Sequence, residues 1–323
     1  MLKRDLALLA PALDHFLSEF RDVASPAALQ LIGTYLRGQL GPLTRKSPIA
    51  MACDAGIRPR RLHDLLSLNR WDERALIDAF QGYVRRMRGG FRHLVTLQET
   101  VCLKKGSLTP GVAFQPSSPH DRNRRSVILV HLGYSDGDLN CVLDSAVYLP
   151  KDWTDSPDRR RLARIPQEVS HRTRPQIALD LLDRAAANGL DVDCVALGTD
   201  YDSDPDFAAA MERRGYRTAG PSSVALLPAS KLFRSQSSPT LTVEAARWAE
   251  ENRLALERCR SEIGLEHFEV RSYGALLRHL SLSALSMFVH EVLVCRRGAL
   301  KERSALSRDL PEPAFMAHPG LGA

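Results

Sequence analysis

The sequence predicts a mixed α/β fold, in which a helical N-terminal part precedes a sheet flanked by helices. Two observations lead to this prediction. From Leu2 to about residue 88, apolar residues recur at three- and four-residue spacing, with almost no β-branched clusters. Beyond Gly89 and Gly90, short apolar strands alternate with helical stretches. A chain of 323 residues with 44% hydrophobic content is long enough to form two such parts.

The overall charge is basic, with 44 Lys and Arg against 38 Asp and Glu. This balance makes an acidic polymer such as double-stranded DNA a candidate partner, although a well-solvated basic surface is the simpler interpretation. The six cysteines show neither a CxxC pair nor a zinc-binding spacing, so we expect core residues in a reducing cytoplasm. We expect no signal peptide and no membrane span, because charged or imidazole side chains interrupt each apolar run.

The first predicted domain covers residues 1–88 and contains a helix-turn-helix-like segment at residues 47–67, SPIAMACDAGIRPRRLHDLLS. Ala52 is small enough for a close helix contact, Gly56 suits the turn, and Leu62 begins the apolar face of the second helix. An ordinary helical hairpin is the alternative. Arginines at the start of the second helix and at the end of the domain are candidate DNA contacts: Arg58, Arg60, Arg61, Arg85, Arg86 and Arg88.

The second predicted domain covers residues 89–300. Its first three strands are HLVTLQET, SVILVHLGY and LNCVLDSAVYL, and SDGD predicts a hairpin between the second and third. A helix follows, with Pro175 in its first turn and Gly189 past its end. Next come the strand DVDCVALG, a helix closed by Gly215 and a strand near SSVALL. The last elements are helical and run through the apolar stretch that ends at Val294. This is the element order of a ribonuclease-H-like core, and residues 301–323 form a predicted flexible tail.

Five segments carry a more specific resemblance: ETVCLKKGS, LDSAVYLPKDWTDSPDRRR, HRTRPQIALDLLDRA, DPDFAAAMERRG and EIGLEHFEVRSY. Together they resemble the text of bacterial insertion-sequence transposases of the DDE superfamily, from about residue 20 to about residue 295. The resemblance implies a ribonuclease-H-like domain in which three carboxylates hold two divalent metal ions. Those ions would activate water or a DNA 3′ hydroxyl, a task that requires anionic ligands.

The resemblance places the three acids at Gln98, Gly198 and Glu251, so that an amide and a glycine stand where two carboxylates are expected. The third position belongs to a helical signature that includes Arg247 and Arg258, both of which we count among the candidate DNA contacts. Most of a β-rich insertion that such transposases carry between the second and third acids is also absent. The resemblance therefore implies a shortened and catalytically degenerate derivative.

Nearby acids are candidate substitutes for the lost ligands. Asp200 lies two residues beyond Gly198, and Asp202 lies in the following loop, although a polar loop that caps the next helix is the simpler interpretation. Glu99 should point to the opposite face, because successive strand side chains alternate.

The leading hypothesis is a transposase-derived protein that binds double-stranded DNA without cleaving it, as a regulator or as a DNA-targeting subunit. It requires no cofactor and predicts no metal site. One alternative is an active DDE-type transposase with a rearranged acidic site, which would require Mg²⁺. A second alternative is a scaffold within a larger complex. A homodimer and a protein or ribonucleoprotein partner both stay open, and no membrane association is expected.

Overall fold

The computed structural model describes residues 3–69, 71–88, 94–115, 124–136, 138–192, 194–198, 201, 204–219 and 239–305. Side chains are described throughout these ranges except in residues 3–10, 239–246 and 293–305. Asp200 and Asp202, the predicted strand near SSVALL and the tail beyond residue 305 lie outside the described residues.

The N-terminal part is helical, as predicted. Its helices are α1 (Lys3–Ser18), α2 (Pro26–Leu40), α3 (Pro48–Asp54), α4 (Pro59–Ser67) and α5 (Glu73–Arg88). Ser25 and Ser47 cap α2 and α3 by accepting a hydrogen bond from a backbone N–H of the first turn. Helices α2, α3 and α4 each begin with a proline, whose missing N–H would be unsatisfied there in any case.

The second part contains a six-stranded mixed sheet. Its strands are β1 (Leu94–Leu103), β2 (Ala113–Gln115), β3 (Arg124–Ser135), β4 (Asn140–Val147), β5 (Cys194–Leu197) and β6 (Thr218–Ala219). The central strand β1 pairs antiparallel with β3 on one side and parallel with β5 on the other. Strands β3 and β4 form the predicted hairpin, and the short β2 pairs with the first residues of β3. The predicted ribonuclease-H-like fold is confirmed.

Helices cover both faces of this sheet. They are α6 (Lys151–Thr154), α7 (Pro157–Ala163), α8 (Arg174–Ala187), α9 (Pro205–Arg213), α10 (Pro239–Arg258) and α11 (Tyr273–Ala305), with a π-helical turn at Cys259–Ile263. The predicted helix ends at Gly189 and Gly215 are confirmed, since both glycines have a positive φ. Helix α11 continues past the apolar stretch that ends at Val294, as far as Ala305, through a segment rich in good helix formers.

Helix α11 joins the two parts of the molecule. It packs against α2, α4, α5 and β4, and one hydrophobic cluster includes side chains from Ala12 to Val292. Buried polar contacts reinforce this packing: the Tyr35 hydroxyl lies 2.8 Å from His279 Nδ1, and Gln39 donates to Ser283 at 2.9 Å. The domain boundary near residue 88 therefore stays a prediction, and the two predicted domains share a core. Among the described residues, no helix combines the length and apolarity needed to cross a membrane.

Candidate functional site

Gln98 on β1 and Gly198, the residue that follows β5, are far apart in sequence but adjacent in the sheet. Strand β1 runs parallel to β5 with Leu97 opposite Leu197, and the Gly198 N–H donates to the Leu97 carbonyl at 3.1 Å. Gly198 therefore follows the end of β5 directly beside Gln98. The adjacency that the resemblance predicted for these two positions is present in the structure, but neither position supplies a carboxylate.

Glu251, the third predicted position, lies on α10, which packs against β1 and β3. Its side chain is 38% exposed and its carboxylate is 3.6 Å from the Arg247 guanidinium one helical turn earlier. The next residue, Asn252, is buried and contacts Gln98. The helix thus turns the Asn252 amide, rather than a carboxylate, onto the Gln98 side chain.

The contacts of Asn252 determine which atoms donate and which accept among Thr96, Gln98 and Asn252. Asn252 Nδ2 donates to the carbonyls of Tyr134 at 2.8 Å and Cys141 at 3.1 Å, and these oxygens can only accept. Asn252 Oδ1 must then accept, from Thr96 Oγ1 at 2.7 Å and from Gln98 Nε2 at 3.0 Å. Gln98 Nε2 also donates to Thr96 Oγ1 at 2.9 Å. Three uncharged side chains therefore form a closed network at the site.

Gly133 provides the space for this network. It lies opposite Thr96 in the pairing of β1 with β3. A Cβ atom at this position would be 2.1 Å from Asn252 Oδ1 and 2.2 Å from Thr96 Oγ1, closer than any van der Waals contact permits. The glycine is therefore required for the close approach of α10 to the sheet.

His131 continues the uncharged surface along the same face of the sheet. It is the cross-strand partner of Gln98, and its Nδ1 is hydrogen-bonded to Ser145 Oγ at 2.7 Å. Burial, with a smaller contribution from Arg260, lowers the pKa of His131 to about 3. The imidazole is therefore neutral at physiological pH, and it adds no charge beside Gln98.

Glu99 points to the opposite face, which confirms the predicted alternation. Its side chain is only 6% exposed and forms an ion pair with Arg174 of α8 at 2.6 Å. The Tyr201 hydroxyl donates to its other oxygen at 2.7 Å. A carboxylate is thus present one residue from Gln98, but it is held by partners on the far side of the sheet.

The segment predicted as helix-turn-helix-like forms two short helices, α3 and α4, around a turn. Gly56 has a φ of +66°, and Ala52 and Leu62 are fully buried. Arg58, Arg60 and Arg61 are all exposed at the start of α4. Arg60 is 3.3 Å from Asp64, whereas no ion pair of Arg58 or Arg61 occurs within the described part of the chain.

The other candidate DNA contacts differ in how far their charge is available. Arg85 is exposed and Arg86 is 3.0 Å from Glu19. Arg88 is only 12% exposed and is paired with the buried Asp136, so it connects α5 to the β3–β4 turn. Arg247 and Arg258 are paired with acids on α10 and α11: Arg247 with Glu251, and Arg258 with the buried Glu291 at 2.7 Å. Among the candidate contacts, the exposed arginines that form no ion pair within the described residues are Arg58 and Arg61 at α4 and Arg85 on α5.

Thr96, Gly133 and Asn252 belong to the site but were not among the residues predicted from the sequence. The period of two along β1 places Thr96 on the face of Gln98, and this signal was available in the sequence. No local pattern marks Gly133 or Asn252. Within the residues that the structure describes, no three His, Cys, Asp or Glu side chains come together as a potential metal-binding group.

Comparison with protein families agrees with the resemblance seen in the sequence. Residues 19–247, more than half of the chain, match the family model described as DDE superfamily endonuclease. Among solved structures, the chain is similar to the Mos1 transposase paired-end complex with left transposon end. That similarity has 14% identity and a TM-score of 0.23, and it covers 67% of this chain and 74% of the other. Curated protein sequences give no match.

Proposed function

Because the chain belongs to the DDE superfamily of endonucleases, we propose that it binds double-stranded DNA and has lost the metal-dependent cleavage of its family. The observation that supports this most directly is the chemistry of the two neighbouring strand positions. Gln98 provides a neutral amide already committed to Thr96 and Asn252, and Gly198 provides no side chain. Two divalent ions about 4 Å apart need several anionic oxygens to offset their repulsion, and Glu251 alone supplies too few.

The proposal of DNA binding rests on the surface around α4. Three exposed arginines stand at the beginning of this helix, where the partial positive charge of the helix end adds to their own. The chain as a whole carries a net charge of +6, which favours association with a polyanion. A helix in this orientation can contact phosphates with its first turn while its apolar face stays packed on α3.

A cleavage assay tests the loss of nuclease activity. Purified protein is incubated with its bound duplex in Mg²⁺ or Mn²⁺, beside a Glu251→Ala variant. We expect neither protein to nick or join DNA. Metal-dependent cleavage by the parent that disappears in the variant would support the rearranged acidic site, with Asp200 or Asp202 as a ligand.

A binding assay tests the DNA-binding surface. Replacing Arg58, Arg60 and Arg61 together by alanine should weaken duplex binding and reduce the slope of log K against log salt by about one unit per arginine. The control is a triple alanine variant at three exposed arginines elsewhere, Arg21, Arg213 and Arg271, which removes the same charge. Equal losses in both variants would mean that binding depends on net charge alone. If duplex binding is the same in both variants as in the parent and does not depend on salt, the scaffold function is favoured.

Within this proposal the protein acts as a regulator or as the DNA-targeting subunit of a larger complex. Mapping its positions on the genome separates these roles from a scaffold. Sharp peaks that disappear in the Arg58, Arg60 and Arg61 variant are the expected result.

A further inference from the structure

We infer that Gln98 and Asn252 form a structural latch that holds α10 against the sheet, and that this latch excludes a carboxylate from position 98. Position 98, where the family resemblance expects a metal-binding carboxylate, would then serve the packing of α10 on the sheet. It does not depend on DNA binding, because no residue of the latch belongs to the α4 surface.

The latch connects three strands to one helix. Asn252 reaches from α10 to Thr96 and Gln98 on β1, and its amide nitrogen reaches the Tyr134 carbonyl on β3 and the Cys141 carbonyl on β4. Asn252 is about 1% exposed, so water cannot reach its amide to substitute for any of these hydrogen bonds. Its loss would leave backbone carbonyls and a side-chain amide without these partners in the interior.

The direction of the hydrogen bonds requires a donor at position 98, which an amide provides and a carboxylate does not. Asn252 cannot rotate its amide by 180°, because its nitrogen serves two carbonyls that only accept. Its oxygen therefore requires donors. Thr96 has one hydroxyl proton, so it can satisfy either Asn252 Oδ1 or a carboxylate at position 98, but not both. A carboxylate would consequently place one oxygen acceptor against another, at the 3.0 Å separation now bridged by the Gln98 amide.

The residues around position 98 complement one another, which the loss of an acid alone would not produce. Loss of an acid alone would leave its neighbours unsatisfied, with donors or acceptors facing an empty position. Here the amide at position 98, the asparagine at position 252 and the glycine at position 133 fit one another. The former metal-ligand position has thus become part of the packing between α10 and β1.

The test is the variant Gln98→Glu, which keeps the size of the side chain and replaces a donor by an acceptor. At pH 8 we expect its Tm to fall by about 4 °C or more. Below about pH 5 the introduced carboxyl should become protonated and regain a donor, so the difference from the parent should shrink. The control is Gln167→Glu, the same chemical change at an exposed glutamine, which should show neither effect.

A second variant keeps the test decisive if the first folds poorly. Gln98→Met has a similar length but neither donates nor repels, so its Tm should lie between those of the parent and Gln98→Glu at pH 8. The inference is overturned if Gln98→Glu equals the parent at pH 8, or if Gln98→Met falls as far as Gln98→Glu. It is also overturned if Mn²⁺ stabilises Gln98→Glu more than the parent, since position 98 would then still build a metal site. None of these outcomes alters the DNA-binding assay.

Discussion

Gln98 and Glu99 are adjacent on β1, but their side chains lie on opposite faces of the sheet and have different kinds of partner. On one face Gln98 is part of an uncharged network with Thr96 and Asn252. On the other face Glu99 is paired with Arg174 and accepts a hydrogen bond from Tyr201. A buried carboxylate is stable only with a partner that compensates its lost hydration. Within the part of the chain that the structure describes, the partners of the Gln98 side chain are the uncharged Thr96 and Asn252. The sheet therefore buries an uncharged hydrogen-bond network on one face and an ion pair on the other.

The face of Glu99 contains a second buried acid. Asp144 on β4 lies 3.3 Å from Arg184 of α8, which also forms an ion pair with Asp78 of α5 at 2.7 Å. Arg184 therefore links two acids from different parts of the chain. The acids on this face are retained together with arginines of α8, whereas the face covered by α10 relies on amides and a neutral imidazole.

The largest expected effect comes from exchanging the two side chains. The double variant Gln98→Glu with Glu99→Gln keeps the composition and net charge of the protein. Any loss of stability therefore comes from the positions of the amide and the carboxylate. We expect the free energy of unfolding at pH 8 to fall by about 4 kcal/mol, because an acceptor enters the latch while Arg174 loses its carboxylate. Urea unfolding of the double and both single variants measures this.

We expect the two single losses to add, since the described contacts of the two side chains lie on opposite faces of the sheet. A double variant as stable as the parent would show that the faces are interchangeable, and the contrast between them would then have no energetic basis.

A smaller effect is expected from Gly133→Ala. The added methyl group would collide with Asn252 Oδ1 and Thr96 Oγ1, so α10 must shift away from β1. We expect a loss of about 3 kcal/mol in urea unfolding, from overpacking and weakened hydrogen bonds. The matched control is Gly82→Ala within α5, where the nearest atom to the new methyl is an Arg86 side-chain nitrogen at 3.6 Å. That change should be neutral or stabilising, and an equal loss at both sites would contradict a specific role for Gly133.

The sequence predicted the fold well because its signals are local. Helical spacing, the short apolar strands, and terminal residues such as Pro175, Gly189 and Gly215 depend only on near neighbours in the chain. The adjacency of Gln98 and Gly198 came from the family resemblance, which carries information about distant pairs. The predicted helical stretch stopped at Val294 because its apolar run ends there, whereas α11 continues to Ala305 through a more polar segment.

The site could be predicted only in part, because its contacts depend on orientation across long sequence separations. Asn252 follows the predicted Glu251 by one residue, yet one residue rotates a side chain by about 100° around a helix. That rotation decides which of the two faces Gln98. Arg88 is a similar case: its sequence context indicates an exposed basic helix end, and only the fold brings Asp136 against it.

The smallest expected effect concerns the second acid of the charged face and depends on pH. Burial raises the pKa of Asp144 to about 6, although Arg184 acts in the opposite direction. The folded protein therefore binds this proton more tightly than the unfolded chain does. The resulting stability is present below the unfolded pKa, near 4, and is lost as pH rises through about 6.

Asp144→Asn removes this titration while keeping an acceptor for Arg184. Relative to the parent, the variant should therefore gain about 2 kcal/mol in the free energy of unfolding between pH 4.5 and pH 8. Urea unfolding across this range measures the change, with the exposed Asp14→Asn as the control that should follow the parent. A variant that instead loses stability towards pH 8 would mean that the attraction of Arg184 outweighs burial. Asp144 would then be held as an ion pair with Arg184, and charge pairing alone would account for the polarity of this face.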